Sequence, residues 1–227
     1  MEFNLNTHQI RVIGCLIEKQ LTTPDYYPMT LSALTNACNQ KSNREPVMSL
    51  TESEVLDSLK SLEDLYLVRE KQLPGSRVAK YEHKLTGTLT DQFGFSAQEI
   101  AVLSILFLRG PQTPGEIRIR TQRACEFKDI EAVDAVLKSL ADKNGHAYVK
   151  ALPRQPGKRE IRYCHLFGSE EKLIDDQVDV VSQVKEATQS ASTSSEIQQL
   201  REEVSQLREE LENVKMQVAE FINAARN

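Results

Sequence analysis

The tetrad Leu59-Lys60-Ser61-Leu62 returns as Leu137-Lys138-Ser139-Leu140, and each copy sits late in an amphipathic stretch that two other amphipathic stretches precede. An internal repeat constrains the fold more than any single motif, because one reading has to explain both halves of the chain. In the first half a helix is expected from about Thr7 to Gln20, with Ile10, Ile13, Leu16 and Ile17 on its buried face. A connection through Thr23-Pro24 and Tyr27-Pro28 leads to a second helix from about Thr30 that carries Leu31, Leu34, Ala37 and Cys38. Thr51 followed by Glu54 is a capping box, in which each side chain meets the other's free backbone donor. It opens a third helix with Val55, Leu56, Leu59, Leu62 and Leu65 facing the core. Extended runs from Leu67 to Leu73 and from Val78 to Leu85 then flank Pro74-Gly75, which is hairpin chemistry.

The second half repeats this order. Ser96 with Glu99 caps a helix through Ile100, Leu103, Leu106 and Phe107, and Thr113, Pro114 and Glu116 open the next. Ile130, Val133, Val136, Leu137 and Leu140 line the third, and a hairpin from Ala147 to Leu152 and from Ile161 to Phe167 turns around Pro156-Gly157. Three helices and a hairpin, twice over, is a tandem winged helix-turn-helix arrangement. The expected fold class is therefore α+β, mostly α: two winged-helix domains over residues 1–86 and 87–167, then a C-terminal helix and a parallel coiled coil. A short helical connector is expected over 168–188, with Ile174, Val178 and Val181 on one side, and a flexible Ser/Thr-rich link over 189–195.

Several runs resemble a known group. Gly14-Cys15-Leu16-Ile17-Glu18-Lys19, Thr22-Thr23-Pro24-Asp25 and the stretch from Ala37-Cys38-Asn39-Gln40 to Pro46-Val47-Met48 are similar to the YceH-like family of uncharacterised bacterial proteins. Val78-Ala79-Lys80-Tyr81-Glu82-His83, Leu108-Arg109-Gly110-Pro111-Gln112-Thr113-Pro114-Gly115-Glu116 and Leu152-Pro153-Arg154-Gln155-Pro156-Gly157 fit the same pattern, so the resemblance covers about residues 3–167. It implies two winged-helix domains in a bacterial cytoplasmic protein. It carries no activity, ligand or catalytic residue across.

Beyond the repeats, Ile197, Leu200, Val204, Leu207, Leu211, Val214, Val218 and Phe221 alternate at spacings of three and four over 196–222, the seam of a coiled coil. Glu196, Glu203 and Glu210 at position g meet Arg201, Arg208 and Lys215 at position e of a parallel, in-register partner, whereas an antiparallel pair would oppose Glu to Glu. A lone solvated helix would be better served by Glu followed four residues later by Lys or Arg, and the seam has none. A self-paired homodimer presenting two copies of the preceding domains is the expectation.

Composition bounds the function classes. No run nears the roughly 18 apolar residues of a membrane span, and Met1 to Thr7 lacks the basic-then-apolar order of a signal peptide, so a cytoplasmic protein with no membrane partner is expected. Cys15, Cys38, Cys125 and Cys164 are scattered, as suits reduced core thiols. Net charge is −1 over 1–86, +3 over 87–167 and −7 over 168–227, so only the middle leans basic.

A winged helix commonly lays its third helix in the DNA major groove. Here the solvent side of the first third helix offers Glu52, Glu54, Asp57, Glu63 and Asp64 against Lys60, and the second sets Asp129, Glu131, Asp134 and Asp142 against Lys128 and Lys138. Affinity for DNA comes largely from cations that displace counterions, so these faces are repelled. Two other surfaces remain. One is the helix with Arg118, Arg120 and Arg123 beside the second wing, where Lys150, Arg154, Lys158, Arg159 and Arg162 gather; such a cluster would contact phosphates without reading sequence. Its plain alternative is a solvated basic face paired with Glu116, Glu126 and Glu160. The other is the loop Asn39-Gln40-Lys41-Ser42-Asn43-Arg44, whose six polar side chains either grip phosphates or base edges or satisfy their own backbone, with Arg44 pairing to Glu45 or a helix end.

Catalysis finds little footing. His8, His83, His146 and His165 are dispersed, Cys164 and His165 alternate across a strand, and no Gly-rich phosphate loop or metal-ligand spacing occurs. The expectation is a non-enzymatic adaptor or regulator with no cofactor, metal or small-molecule substrate, whose partner is DNA or a protein.

Overall fold

The computed structural model describes residues 3–72, 75, 78–86, 93–154 and 160–168. The expected coiled coil from Ile197 to Phe221, the connector and link before it, and Lys158 and Arg159 lie outside the described residues.

The first repeat opens with α1 (Thr7–Thr22), entered through Asn6 and Gln9, which form a capping box. Every residue from Ile10 to Ile17 is buried, not one face alone, because neighbours cover the helix on several sides. A 3₁₀ turn over Pro24–Tyr26 and the short strand β1 (Met29–Thr30) lead to α2 (Leu31–Cys38), which Thr30 caps through Ala33 N–H. Next comes α3 (Glu52–Asp64), capped by Thr51 and Glu54 as expected, with Val55, Leu59 and Leu62 buried. Leu56 is half-buried and Leu65, just past the helix end, is exposed. The strands β2 (Val68–Lys71) and β3 (Lys80–His83) pair antiparallel with Val68 opposite His83, and β1 adds to the other side of β3.

The second repeat reuses the plan with α4 (Ala97–Arg109), α5 (Pro114–Thr121) and α6 (Ile130–Ala141), followed by the antiparallel strands β4 (Val149–Ala151) and β5 (Tyr163–His165). Where the first repeat has β1, the second has a single bridge from Gln112 to Tyr163. The strand order β1–β3–β2 thus returns as Gln112–β5–β4. Ile130 lies at the first turn of α6 and is 44% exposed, so the apolar face begins at Val133.

The repeats share one core. Within the compact unit that contains both, α1 packs along α4, and Gly14 lets the helices approach: a Cβ there would lie 2.9 Å from Phe107 Cβ and 3.0 Å from Leu108 Cδ2. A chain of rings from Phe3 through Phe167 and Phe107, and from Phe93 and Phe95 to Tyr148, closes one end, with centroids 4.8 Å apart for Phe95 and Tyr148 and 5.0 Å for Phe107 and Phe167. Leu5 N–H donates to Phe167 O at 2.8 Å, which ties the segment before α1 to the end of the second hairpin. The result is an α+β unit, mostly helical, with small sheets.

Candidate macromolecular interface

The loop after α2 is built from its own side chains. Asn39 acts as a backbone mimic: its Nδ2 donates to Leu50 O and its Oδ1 accepts from Leu50 N–H, both at 2.7 Å, closing the excursion between α2 and α3. Arg44 folds inward with a side chain of 0% exposure, and its Nε donates to Ala37 O at the end of α2 at 3.0 Å. Its Nη groups donate to both oxygens of Glu18 on α1, at 3.1 and 2.7 Å, to Asn43 O and to Gln40 Oε1.

Arg44 is therefore corrected from a surface contact to a structural post: burying a guanidinium demands that its donors be met, and this loop meets them. Of the plain alternatives, the helix end is realised while Glu45 is not its partner. Asn39 and Gln40 are likewise engaged within the loop. Lys41, Ser42 and Asn43 are exposed, and Asn43 adopts a left-handed φ of 60° that Asn tolerates.

Beneath Arg44 stands a second buried guanidinium that sequence reasoning missed. Arg11 on α1 is 1% exposed and donates to Cys38 O at 3.1 Å and to Pro46 O at 2.5 Å, holding both ends of the loop. An arginine on the wet side of an amphipathic pattern gives no local hint of this, since its partners lie 27 and 35 residues away. Glu18 is the carboxylate that serves Arg44. Burial works against its charge, yet the hydrogen bonds and charge of Arg44, aided by Lys19, hold it below the ordinary carboxylate range.

The loop also reaches the second repeat. Glu45 N–H donates to Leu108 O at 2.8 Å, Arg109 Nη1 lies 3.4 Å from Glu45 Oε1, and Arg109 Nη2 donates to Asn43 Oδ1. Arg109 itself was legible only as a cation in the last turn of a helix, a common C-terminal preference. Its guanidinium is pulled below its usual range by burial first and then by Arg120 nearby.

On α5, Arg118 donates to Phe127 O at 3.4 Å and to Lys128 O at 3.2 Å, Arg120 Nη2 is 3.8 Å from Glu116, and Arg123 is exposed just beyond the helix end. Glu116 also accepts Arg162 Nη2 at 3.2 Å and Thr113 N–H at 2.8 Å, so one carboxylate serves two guanidiniums and a cap. Ile119, between Arg118 and Arg120, is 68% exposed. The outer faces of the third helices carry the expected acids: Glu52, Glu54, Asp57, Asp64, Glu131 and Asp142 are exposed, and Lys60 lies 3.8 Å from Asp57.

The four histidines stay apart. His83 and His165 are buried at matching places in the two hairpins, each ring Nδ1 accepting a backbone N–H two residues on, from Leu85 at 3.2 Å and Phe167 at 3.4 Å. Burial holds both imidazoles down at about 4. The thiols of Cys15, Cys38 and Cys164 are buried and Cys125 is half-buried. Among the described residues no cluster of three or more His, Cys, Asp or Glu is placed to hold a metal ion, and no helix is long and apolar enough to cross a membrane.

Fold and site together define a mostly helical α+β protein of two fused repeats, with an arginine-rich seam where they meet and acidic outer helices. The chain belongs to the family described as "Protein of unknown function, DUF480", which matches residues 5–158. It is 51% identical over 191 residues to a UPF0502 protein of Aliivibrio salmonicida, covering 84% of this chain and 85% of that one. A UPF0502 protein of Photobacterium profundum is 44% identical over 220 residues, 97% of this chain and 96% of the relative. One from Vibrio cholerae is 46% identical over 200 residues, 88% and 89% of the two chains. The resemblance over residues 3–167 is thus membership in this family.

Proposed function

We propose that the protein is a non-enzymatic, macromolecule-binding adaptor or regulator of the cytoplasm, made of two tandem winged helices and paired with a second copy through the seam from Ile197 to Phe221. The observation that carries the reading is the repeated unit itself: three helices, then a hairpin, with strand order β1–β3–β2 returning as Gln112–β5–β4. Such units ordinarily grip macromolecules with a helix and a wing. In this reading the partner is DNA, bound along the backbone without sequence selectivity. Exposed Lys41, Ser42 and Arg123, together with Arg118, Arg120, Lys158 and Arg159, supply its contacts, while the acidic outer faces of α3 and α6 turn away from phosphate.

A second reading has one observation in its favour. The acidic face of α3 ends at Leu65 and Tyr66, which are 45% and 69% exposed, and an acidic rim around apolar side chains suits a protein partner better than a nucleic acid. Titrating generic duplex with the full-length chain at low and moderate salt separates the two. DNA binding is expected to weaken steeply as salt rises. Flat titrations at low salt would remove DNA and leave protein docking.

A further inference from the structure

The loop from Asn39 to Arg44 and the arginines of α5 read as separate surfaces in the sequence, 66 residues apart at Asn43 and Arg109. Folding joins them. Arg109, in the last turn of α4, donates to Asn43 of the loop on one side and stands near enough to Arg120 of α5 for their charges to repel. Around this junction the guanidiniums of Arg44, Arg109, Arg120 and Arg162 and the ammonium of Lys19 meet the carboxylates of Glu18, Glu45 and Glu116, leaving two positive charges in excess.

Arg120 has the longest of these ion pairs. Its carboxylate neighbour Glu116 is 3.8 Å away and is held more closely by Arg162, at 3.2 Å. Arg120 Nη1 is enclosed by protein with no hydrogen-bond partner among the described residues. An enclosed donor left unmet is a standing cost that any anion able to draw the side chain outward would relieve. Exposed Lys41 and Ser42 precede Asn43, and exposed Arg123 follows Arg120 by three residues, so further donors flank the junction from both repeats.

We infer that Arg109 and Arg120 form a phosphate-binding slot at the seam between the repeats, which takes one phosphodiester of a nucleic acid backbone while Lys41, Ser42 and Arg123 contact its neighbours. The inference rests on the DNA reading above and makes it specific: the nucleic acid crosses the junction of the two units instead of lying along either third helix. A phosphate entering there takes over donors now shared with Glu45, Asn43 and Glu116, and its contacts add nothing base-specific.

The test is fluorescence anisotropy of the full-length protein with two generic duplexes of unrelated sequence, at several salt concentrations. Arg120→Gln, which leaves the Asn43 contact untouched, is the main variant. Arg109→Lys keeps the charge but loses the fork, and Lys60→Gln on the acidic helix is the control. The slot requires that Arg120→Gln and Arg109→Lys each weaken both duplexes alike, by about tenfold for the first, that Arg120→Gln flatten the salt slope by about one unit, and that Lys60→Gln match the wild type. Unchanged affinity in Arg120→Gln with wild-type binding intact would overturn the slot and leave DNA binding standing. Absence of wild-type binding at low salt would overturn both. Polyglutamate is the competing probe: displacement of duplex at equal charge concentration would overturn the assignment to phosphate and point to an acidic protein.

Discussion

Glu18 is the carboxylate partner of the buried Arg44 guanidinium. It binds Arg44 directly, and Arg11 lies close enough to Arg44 for the two cations to oppose each other. Removing one partner of a buried pair costs far more than the pair contributes, because the remaining charge has no other compensation. Glu18→Ala is therefore expected to lower unfolding free energy by about 3 to 5 kcal/mol in denaturant titrations. Arg44→Met in that background is expected to recover part of the loss. The histidines make a second residue-scale expectation. His83 and His165 sit at about 4 in the folded protein, with Gln20, Tyr27 and Glu82 around the first and Phe107 against the second. An unfolded histidine titrates near 6.5, so as pH falls from there to about 4 the unfolded chain takes up protons that the folded one refuses. Stability is whole above that window and declines through it, by on the order of 3 kcal/mol for each ring. Urea midpoints at pH 7, 5.5 and 4 check this, and His165→Gln is expected to reduce the slope; an unaltered slope would contradict it.

At the scale of elements, the capping residues have second roles. Glu99 caps α4 through Ser96 N–H at 2.8 Å and also receives Lys143 at 2.9 Å and Ser139 at 2.7 Å, while Glu116 caps α5 and receives Arg162. A helix start is readable because its partners lie three residues apart, whereas Lys143 is 44 residues from Glu99 and nothing local announces it. The α1–α4 seam gives a direct test. Gly14→Ala gains helix propensity worth about 1 kcal/mol, but its Cβ would meet Phe107 Cβ at 2.9 Å, an atom fixed to the facing backbone. Overpacking costs roughly 1 to 3 kcal/mol and is expected to win, so the variant melts at lower temperature in calorimetry.

For the whole molecule, stoichiometry is the deciding quantity, since the proposed pair of heads on one coil would bind a polymer with raised effective concentration. The coil proposal is tested by Leu207→Asp, which puts a charge at the proposed d position: the wild type is expected to sediment as a dimer and the variant as a monomer. A variant that stays dimeric would place the interface elsewhere. The sequence by itself determined the helices α1 to α6, their starts at Thr51, Ser96 and Thr113, the two hairpins and the acidity of α3, because periodicity, capping and composition act within a few residues. Only the tertiary structure decided that Arg44 points inward, that Arg11 lies beneath it, and that Asn43, Arg109 and Arg120 come together. Those outcomes depend on contacts between segments dozens of residues apart, and such packing leaves no period or spacing in the chain to read.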